Sequence, residues 1–337
     1  MIQTQAKQLK GFSGNITATL THRMGLCDDQ HKHSRTNIVE MLLSGQMVKI
    51  SAPMVRYSKL PFRTLVRGYD CDLCFTPMIV ANPFVRSIKA RDSEFTTNSG
   101  DRPLVVQFAA SNGKDLADAA EIVIPFADGI DLNCGCPQSW AMSEGYGASL
   151  LQKPELVKDM IQQVRSRIAD PDFSISIKIR VHEDLQRTVD LCRQAEAAGI
   201  SWITVHGRTP AERKQPARPH ATALLRSALS VPVVINGDVH NLQQAQKLQQ
   251  FTGAHGVMVA RSLLANPALF AGFETMPADC ISDWLAVSTR LGVPFATFHH
   301  HLCLMLEPIT SRPERWHFQH LSSTAAVLDY LHLHYGI

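Results

Sequence analysis

The chain has 337 residues, a net charge of +3 and 45% apolar residues. That balance excludes a disordered polymer, and the mild positive charge permits an anionic partner without requiring one. Eight cysteines are scattered mostly through apolar runs rather than framed as a disulfide scaffold, and no apolar stretch reaches the ~18–20 residues of a bilayer span. A reducing compartment, the cytoplasm, and no membrane association are expected.

The first 27 residues contain no Asp or Glu and place Lys7, Lys10 and Arg23 among Ser and Thr. The pattern weakly fits a mitochondrial transit peptide, so import is an alternative; the plainer reading makes residues 1–45 a disordered or weakly ordered N-terminal extension.

From Met47 onward, eight short β-branched runs alternate with amphipathic segments: "MVKISAP", "CDLCFTP", "PLVVQFA", "GIDLN", "FSISIKIR", "SWITVHG", "PVVINGD" and "GVMVAR". Helical spacing falls at Lys59–Arg67, Leu116–Ile124, Pro154–Arg167, Leu185–Ala198, Leu242–Phe251 and Ser262–Gly272. Near-continuous apolar strands separated by helices predict a parallel sheet covered on its outside, and eight repeats within residues 46–275 fit a closed (β/α)8 TIM barrel. An open doubly wound sheet is the competing architecture.

A barrel demands that chemistry gather at the C-terminal strand ends. Chemistry-bearing residues do fall there, in seven sets: Pro53-Met54, Gln107, Asn133 with Cys136, Lys178 with Arg180, His206 with Arg208, Asn236-Gly237-Asp238, and Arg261. A lysine within "SISIKIR" is costly unless it meets an anion or a polarised oxygen. Gly237 allows close backbone approach, and the segment Gly256–Arg261 leads into the last barrel helix, where barrels often hold phosphate. A phosphorylated planar cofactor, flavin mononucleotide (FMN), fits these features. "GYGASL" lacks the third glycine of a dinucleotide fingerprint, so a nicotinamide donor would visit rather than reside.

Cys134-Gly-Cys136 is too tight for zinc, and Cys71 and Cys74 have no second pair, so no metal is expected. Cys136 stands apart because Pro137 and a Gly/Ser-bearing loop follow it just beyond a strand end, where a thiol can give or take a proton. Cys134 alternates to the opposite side of Asn133 and is expected to pack. Gly145-Tyr146-Gly147 is expected to be a flexible loop.

After about Glu274 the alternation stops and three helical stretches follow, the last placing Trp316, Leu321 and Leu328 near one face. Residues 276–337 are therefore expected to form a small all-helical C-terminal domain.

Taken in order, "APMVRYSKLPFR", "VVQFA", "DLNCGCPQSWAMSEGYGASLL", "SIKIR", "VHGRT", "VINGDV" and "GVMVARSLLANPALF" resemble the motifs of the flavin-dependent tRNA-dihydrouridine synthases. The wording is most similar to the eukaryotic Dus4 subfamily. The resemblance spans residues 47–272. It implies an oxidoreductase that reduces the C5–C6 double bond of a D-loop uridine in tRNA, in the 20a/20b region. FMN would be bound and NADPH would be the transient hydride source.

The resemblance further implies that Cys136 protonates C5. It places Pro53, Met54, Val55, Gln107, Lys178 and His206 against the flavin, and Asn236, Gly237, Asp238, Ala260 and Arg261 around its ribityl phosphate. Asn133, Arg180 and Arg208 become uracil or phosphate neighbours, residues 46–275 the catalytic domain, and residues 276–337 the tRNA-binding domain of a monomer. Yet residues 276–337 hold three arginines, no lysine and five acidic residues. The stronger basic patch is Arg213, Lys214 and Arg218, joined by Arg56, Lys59, Arg63 and Arg67, so backbone grip is expected from barrel loops. A flavin reductase of a free pyrimidine or small enone, and a non-catalytic tRNA-binding protein, are the alternatives.

Overall fold

The computed structural model describes residues 35–337. Its centre is a parallel sheet of β1 (Val48–Ser51), β2 (Leu73–Phe75), β3 (Ile79–Val80), β4 (Leu104–Ala109), β5 (Gly129–Cys134), β6 (Ser174–Arg180), β7 (Trp202–His206), β8 (Val233–Asn236) and β9 (Gly256–Val259). β1 pairs with both β2 and β9, and β2 pairs with β4, so eight strands close on themselves; the two-residue β3 only extends the edge of β4. The architecture is a TIM barrel. Seven of the eight expected runs contain one of the closing strands whole, and β5 runs one residue past "GIDLN" to Cys134.

Strand parity divides the barrel into an inside and an outside. Ile50, Leu73, Phe75, Val105, Trp202, Val234 and Met258 fill the interior, while Ile130, Leu132, Cys134, Ile177, Ile179, Ile203 and Val205 face the surrounding helices. Helices Pro154–Arg167, Leu185–Ala197 and Leu242–Thr252 lie within a residue or so of their expected bounds, and Gly113–Val123 begins earlier than expected. Helix Pro219–Ala228, which buries Ala221, Thr222 and Leu225, is not among the expected segments. The expected helix Ser262–Gly272 is instead Arg261–Ala265 followed by a separate 3-10 turn at Leu269–Ala271.

The expected domain boundary at residue 45 needs correction. Helix Ile38–Leu43 buries Ile38 and Leu42 in the same cluster as the barrel interior. The Thr36 N–H donates to Asp128 at 3.1 Å, and Arg35 pairs with Asp170 and donates to the Ile124 carbonyl oxygen. Residues 35–45 thus stopper the barrel floor. The transit-like pattern lies outside the described residues.

Helices Asp279–Arg290, Phe295–Leu306, Arg312–Gln319 and Thr324–Tyr335 form the C-terminal helical layer, whose core packs on Leu65 of helix Leu60–Arg67 and on Tyr69 in the turn that follows it. The last expected stretch is two helices, because Ser323 caps a new start by accepting from the Ala326 N–H. Trp316 and Leu328, expected near one face, therefore lie on different helices, and both are exposed. His301 is buried between Phe62 and Trp284, and Tyr57 hydrogen-bonds His300 at 3.0 Å, tying the β1 loop to this layer. No helix among the described residues is long and apolar enough to cross a membrane.

Candidate active site

At the C-terminal mouth of the barrel, register aligns Gln107 with Asp131, Asn133 with Lys178, Arg180 with His206, and His206 with Asn236. These inward positions replace the apolar filling seen lower in the barrel. Gln107, Asp131 and Asn133 are buried, whereas Lys178 and His206 are half-buried.

Burial pushes the Asp131 carboxyl up to about 6, against the pull of Ser176, Gln107 and Lys178. Burial likewise pulls the Lys178 ammonium down to about 8, opposed by Asp131. His206 is depressed by burial and then by Lys178, Arg180, Arg208 and Arg261, so it is neutral at physiological pH. Its Nε2 therefore accepts from Arg208 Nη1 at 3.2 Å. A histidine facing four cations marks a strongly electropositive mouth.

Beside it lies a cavity of ≈ 340 Å³ lined by His206, Asn236, Gly237, Asp238, Ala260 and Arg261 among others. Gly237 has φ +129, and a Cβ there would come within 2.9 Å of the Ala217 Cβ and 3.1 Å of the His206 ring. Only glycine fits. Asn236 donates to the Met258 carbonyl oxygen at 2.8 Å, which fixes its amide. Burial raises the Asp238 carboxyl, but the Ala217 N–H and Arg208 outweigh it and hold it below the usual carboxylate range.

Cys136 is half-buried just past β5, whereas Cys134 faces outward, fully buried, its thiol pushed up by burial. Asn133 Oδ1 accepts the backbone N–H of Gly135 (3.1 Å) and of Cys136 (2.9 Å). The loop beyond is fastened rather than free. Tyr146 N–H donates to the Ala141 carbonyl at 2.7 Å, Gly145 N–H to Met142, and Ala148 N–H to Cys136 at 2.9 Å.

Several expected contacts take a different form. Pro53 and Met54 stand at the end of β1, with the Met54 N–H donating to Ser58 Oγ at 2.9 Å, but Val55 is half exposed. Arg180 spends its guanidinium on the carbonyls of Thr209 (2.8 Å) and Glu212 (2.9 Å), and Arg208 grips Asp238 (2.7 and 2.9 Å). Both therefore brace the loop 207–218 in this state.

Arg63 and Arg67 leave the expected basic patch altogether. Arg63 is 1% exposed and forked onto Asp101 at 2.6 and 3.0 Å, and Arg67 also reaches that carboxylate. Arg218 is paired with Glu212, which leaves Arg213 and Lys214 as the exposed cations of the loop. Among the described residues no group of three or more His, Cys, Asp or Glu is placed to hold a metal. Sequence reasoning missed Asp131 and Ser176. Their signal was present: a charged residue at an inward position of "GIDLN", in register with a serine.

The dihydrouridine synthase (Dus) family model matches residues 50–325. A mouse protein named tRNA-dihydrouridine(20a/20b) synthase (NAD(P)+)-like is 61% identical over 311 residues, covering 92% of this chain and 95% of its own. The fission yeast tRNA-dihydrouridine(20a/20b) synthase is 42% identical over 301 residues, covering 89% of this chain and 91% of its own. Among solved structures, a 2-naphthoyl-CoA reductase aligns with a TM-score of 0.50 at 9% identity over 66% of this chain and 49% of that one, a likeness of fold.

Proposed function

The chain belongs to the dihydrouridine synthase family, and on that premise we propose that it reduces the C5–C6 double bond of uridine in the tRNA D-loop, in the 20a/20b region. The cofactor is FMN, with NADPH as reductant. Two relatives named for 20a/20b synthesis match over most of their length and support the substrate. The observation that carries the reading is a cationic, glycine-floored cavity at the same barrel mouth where a half-buried thiol stands just past β5, near Lys178 and Arg180.

The residues fit FMN. Four cations converge on the His206 side of the mouth, and neither Lys178 nor Arg261 has a side-chain hydrogen-bond partner among the described residues. An anionic ligand would relieve that uncompensated charge. Gly237, Asn236, Ala260, Arg261 and the Asp238 backbone would hold the phosphate end, while Gln107, Lys178, His206, Pro53, Met54 and the Val55 backbone would hold the ring. When bound and reduced, FMN supplies the hydride that adds at C6 of the uracil.

Cys136 supplies the second atom. Its Sγ–H delivers a proton to C5, the thiolate regains one from solvent, and uridine gains two hydrogens in all. A hydride on one face and an acid on the other is what saturation of a polarised alkene needs. Lys178, an ammonium below its pKa of about 8, stabilises negative charge on a reduced ring. Asn133 positions the Cys136 backbone, and Arg180 and Arg208 hold the loop that borders the uracil side.

Residues 46–275 form the catalytic unit in this reading, with residues 35–45 as its floor, and residues 276–337 contact tRNA. The protein acts as a monomer in the cytoplasm. The test uses purified protein loaded with FMN and given NADPH and unmodified tRNA, with dihydrouridine mapped by position. Wild type should form it in the 20a/20b region, and Cys136→Ala should lose at least about a hundredfold in rate while keeping its flavin absorbance. A colourless protein that leaves tRNA unchanged overturns the reading; full activity in Cys136→Ala overturns only the acid.

A further inference from the structure

The barrel mouth contains one acid that the proposed reaction does not use. Asp131 is 0% exposed, yet it lies two residues before Asn133 on the same inward face. Its carboxylate oxygens have separate partners: Ser176 Oγ donates to Oδ1 at 2.7 Å and Gln107 Nε2 donates to Oδ2 at 2.8 Å. From there the chain continues. Asn133 Nδ2 donates to Gln107 Oε1 at 2.9 Å, and Asn133 Oδ1 receives the N–H groups of Gly135 and Cys136.

We propose that Asp131 is a positioning residue that sets the polarity of a hydrogen-bond relay running through Gln107 and Asn133 to the backbone of Cys136. The proposal rests on the reading of Cys136 as the proton donor. Its logic is directional. A carboxylate can only accept, so Gln107 must turn its NH2 toward Asp131 and its oxygen toward Asn133. A backbone N–H can only donate, so Asn133 must turn its oxygen toward Cys136 and its NH2 toward Gln107. Both ends demand the same orientation of the two amides between them.

Reversing either amide would bring like groups face to face in a buried site, where an unpaired polar atom is expensive. The relay therefore holds the Cys136 main chain from the barrel interior while Ala148 N–H holds its carbonyl from the loop side. It also fixes which atom of Gln107 is free toward the mouth.

The polarity argument makes a non-additive prediction. Asn133→Asp keeps an acceptor for Cys136 N–H but sets a second oxygen against Gln107. Gln107 must then turn over, and its oxygen meets the Asp131 carboxylate. Adding Asp131→Asn supplies an NH2 at that point, which completes a relay of opposite polarity with no change in size. Asp131→Asn alone keeps an oxygen for Gln107 and offers its NH2 to Ser176 Oγ, so the original direction survives.

The experiment measures two quantities for wild type, both single variants and the double. One is kcat for uridine reduction on tRNA by the FMN-loaded enzyme. The other is the alkylation rate of Cys136 by iodoacetamide, read on its own peptide by mass spectrometry. Asp131→Asn should stay within about threefold of wild type in both, while Asn133→Asp should lose at least about tenfold in kcat and change the alkylation rate at least about fivefold. The double variant should recover at least about fivefold from Asn133→Asp, with KM for tRNA within about twofold throughout.

Effects that simply multiply, or an Asn133→Asp variant with wild-type alkylation, overturn the relay. If Asn133→Asp does not fold by circular dichroism, Asp131→Leu takes its place, and equal alkylation in Asp131→Leu and Asp131→Asn overturns the proposal. Alkylation needs no substrate. It therefore tests the relay even where an active Cys136→Ala has removed the acid reading.

Discussion

Gly147 lies against Cys136 so closely that a Cβ on residue 147 would stand 2.5 Å from the Cys136 carbonyl oxygen and 3.0 Å from its Cβ. Gly147 also has φ +61, a conformation that L side chains rarely adopt. The backbone of the proposed acid is therefore clamped between a glycine on one side and Asn133 on the other. Gly147→Ala should cost about 1–3 kcal/mol of stability through strain and overlap together. It should lower kcat at least about tenfold while the flavin spectrum is unchanged, because the displaced group is the thiol. Thermal melts and steady-state kinetics check both halves; a wild-type kcat would refute the clamp.

Asp131 predicts a pH dependence. Its proton is held more tightly in the folded protein, at about 6, than in an unfolded chain, at about 4. The native state therefore binds the extra proton, and this contribution to stability is full below about pH 4 and is lost as pH rises through about 6. Relative to Asp131→Asn, wild-type apoprotein should lose on the order of 3 kcal/mol between pH 4 and 8. Urea denaturation of the two proteins across that window measures it. A constant difference would show that Asp131 does not titrate in this way.

Lys178 gives the cofactor prediction. A half-buried ammonium with no hydrogen-bond partner among the described residues carries a cost that Asp131 offsets only in part and that an anionic or polarised ligand would relieve further. Lys178→Met should weaken FMN binding at least about tenfold while leaving the apoprotein at least as stable as wild type. Titration of flavin fluorescence and a melt of the apoprotein give the two numbers. Destabilised apoprotein with unchanged flavin affinity would assign the lysine a structural role instead.

The arginines near the barrel mouth separate into two kinds. Arg63 and Asp101 are each 1% exposed and paired at 2.6 Å, so Arg63→Ala should cost about 3 kcal/mol by leaving the buried carboxylate only Thr97 and the longer 3.4 Å pairing with Arg67. It should leave the salt dependence of tRNA binding unchanged. Arg213→Ala and Lys214→Ala, at exposed positions, should barely alter stability, yet each should reduce the slope of log affinity against log salt by about 1. Binding isotherms at several salt concentrations distinguish the two.

Much of the barrel could be read from local pattern, because a strand buried on both faces shows itself as a short apolar run wherever it occurs. "PVVINGD" and "GVMVAR" need no knowledge of their partners to be recognised. Helix Pro219–Ala228 escaped because its apolar residues do not mark a single face: Leu225 is buried but the adjacent Leu224 is 41% exposed. The floor helix Ile38–Leu43 escaped for another reason: its two buried side chains matter only once the strands above it have closed.

Charge was the hardest property to place in advance. Arg63 and Arg213 are alike as letters, and whether each meets water or Asp101 depends on residues distant in sequence. The same holds for Asp131, whose partners come from β4 and β6. The sequence alone established eight alternating units, polar residues at most of the strand ends, and one cysteine set apart from its neighbour by lying beyond the strand end, all of them consequences of short-range pattern. Which cations remain free, which acid lies beneath Lys178, and what holds Cys136 in place were decided by barrel closure. Closure sets the register between strands, and register determines which polar atoms must satisfy one another away from water.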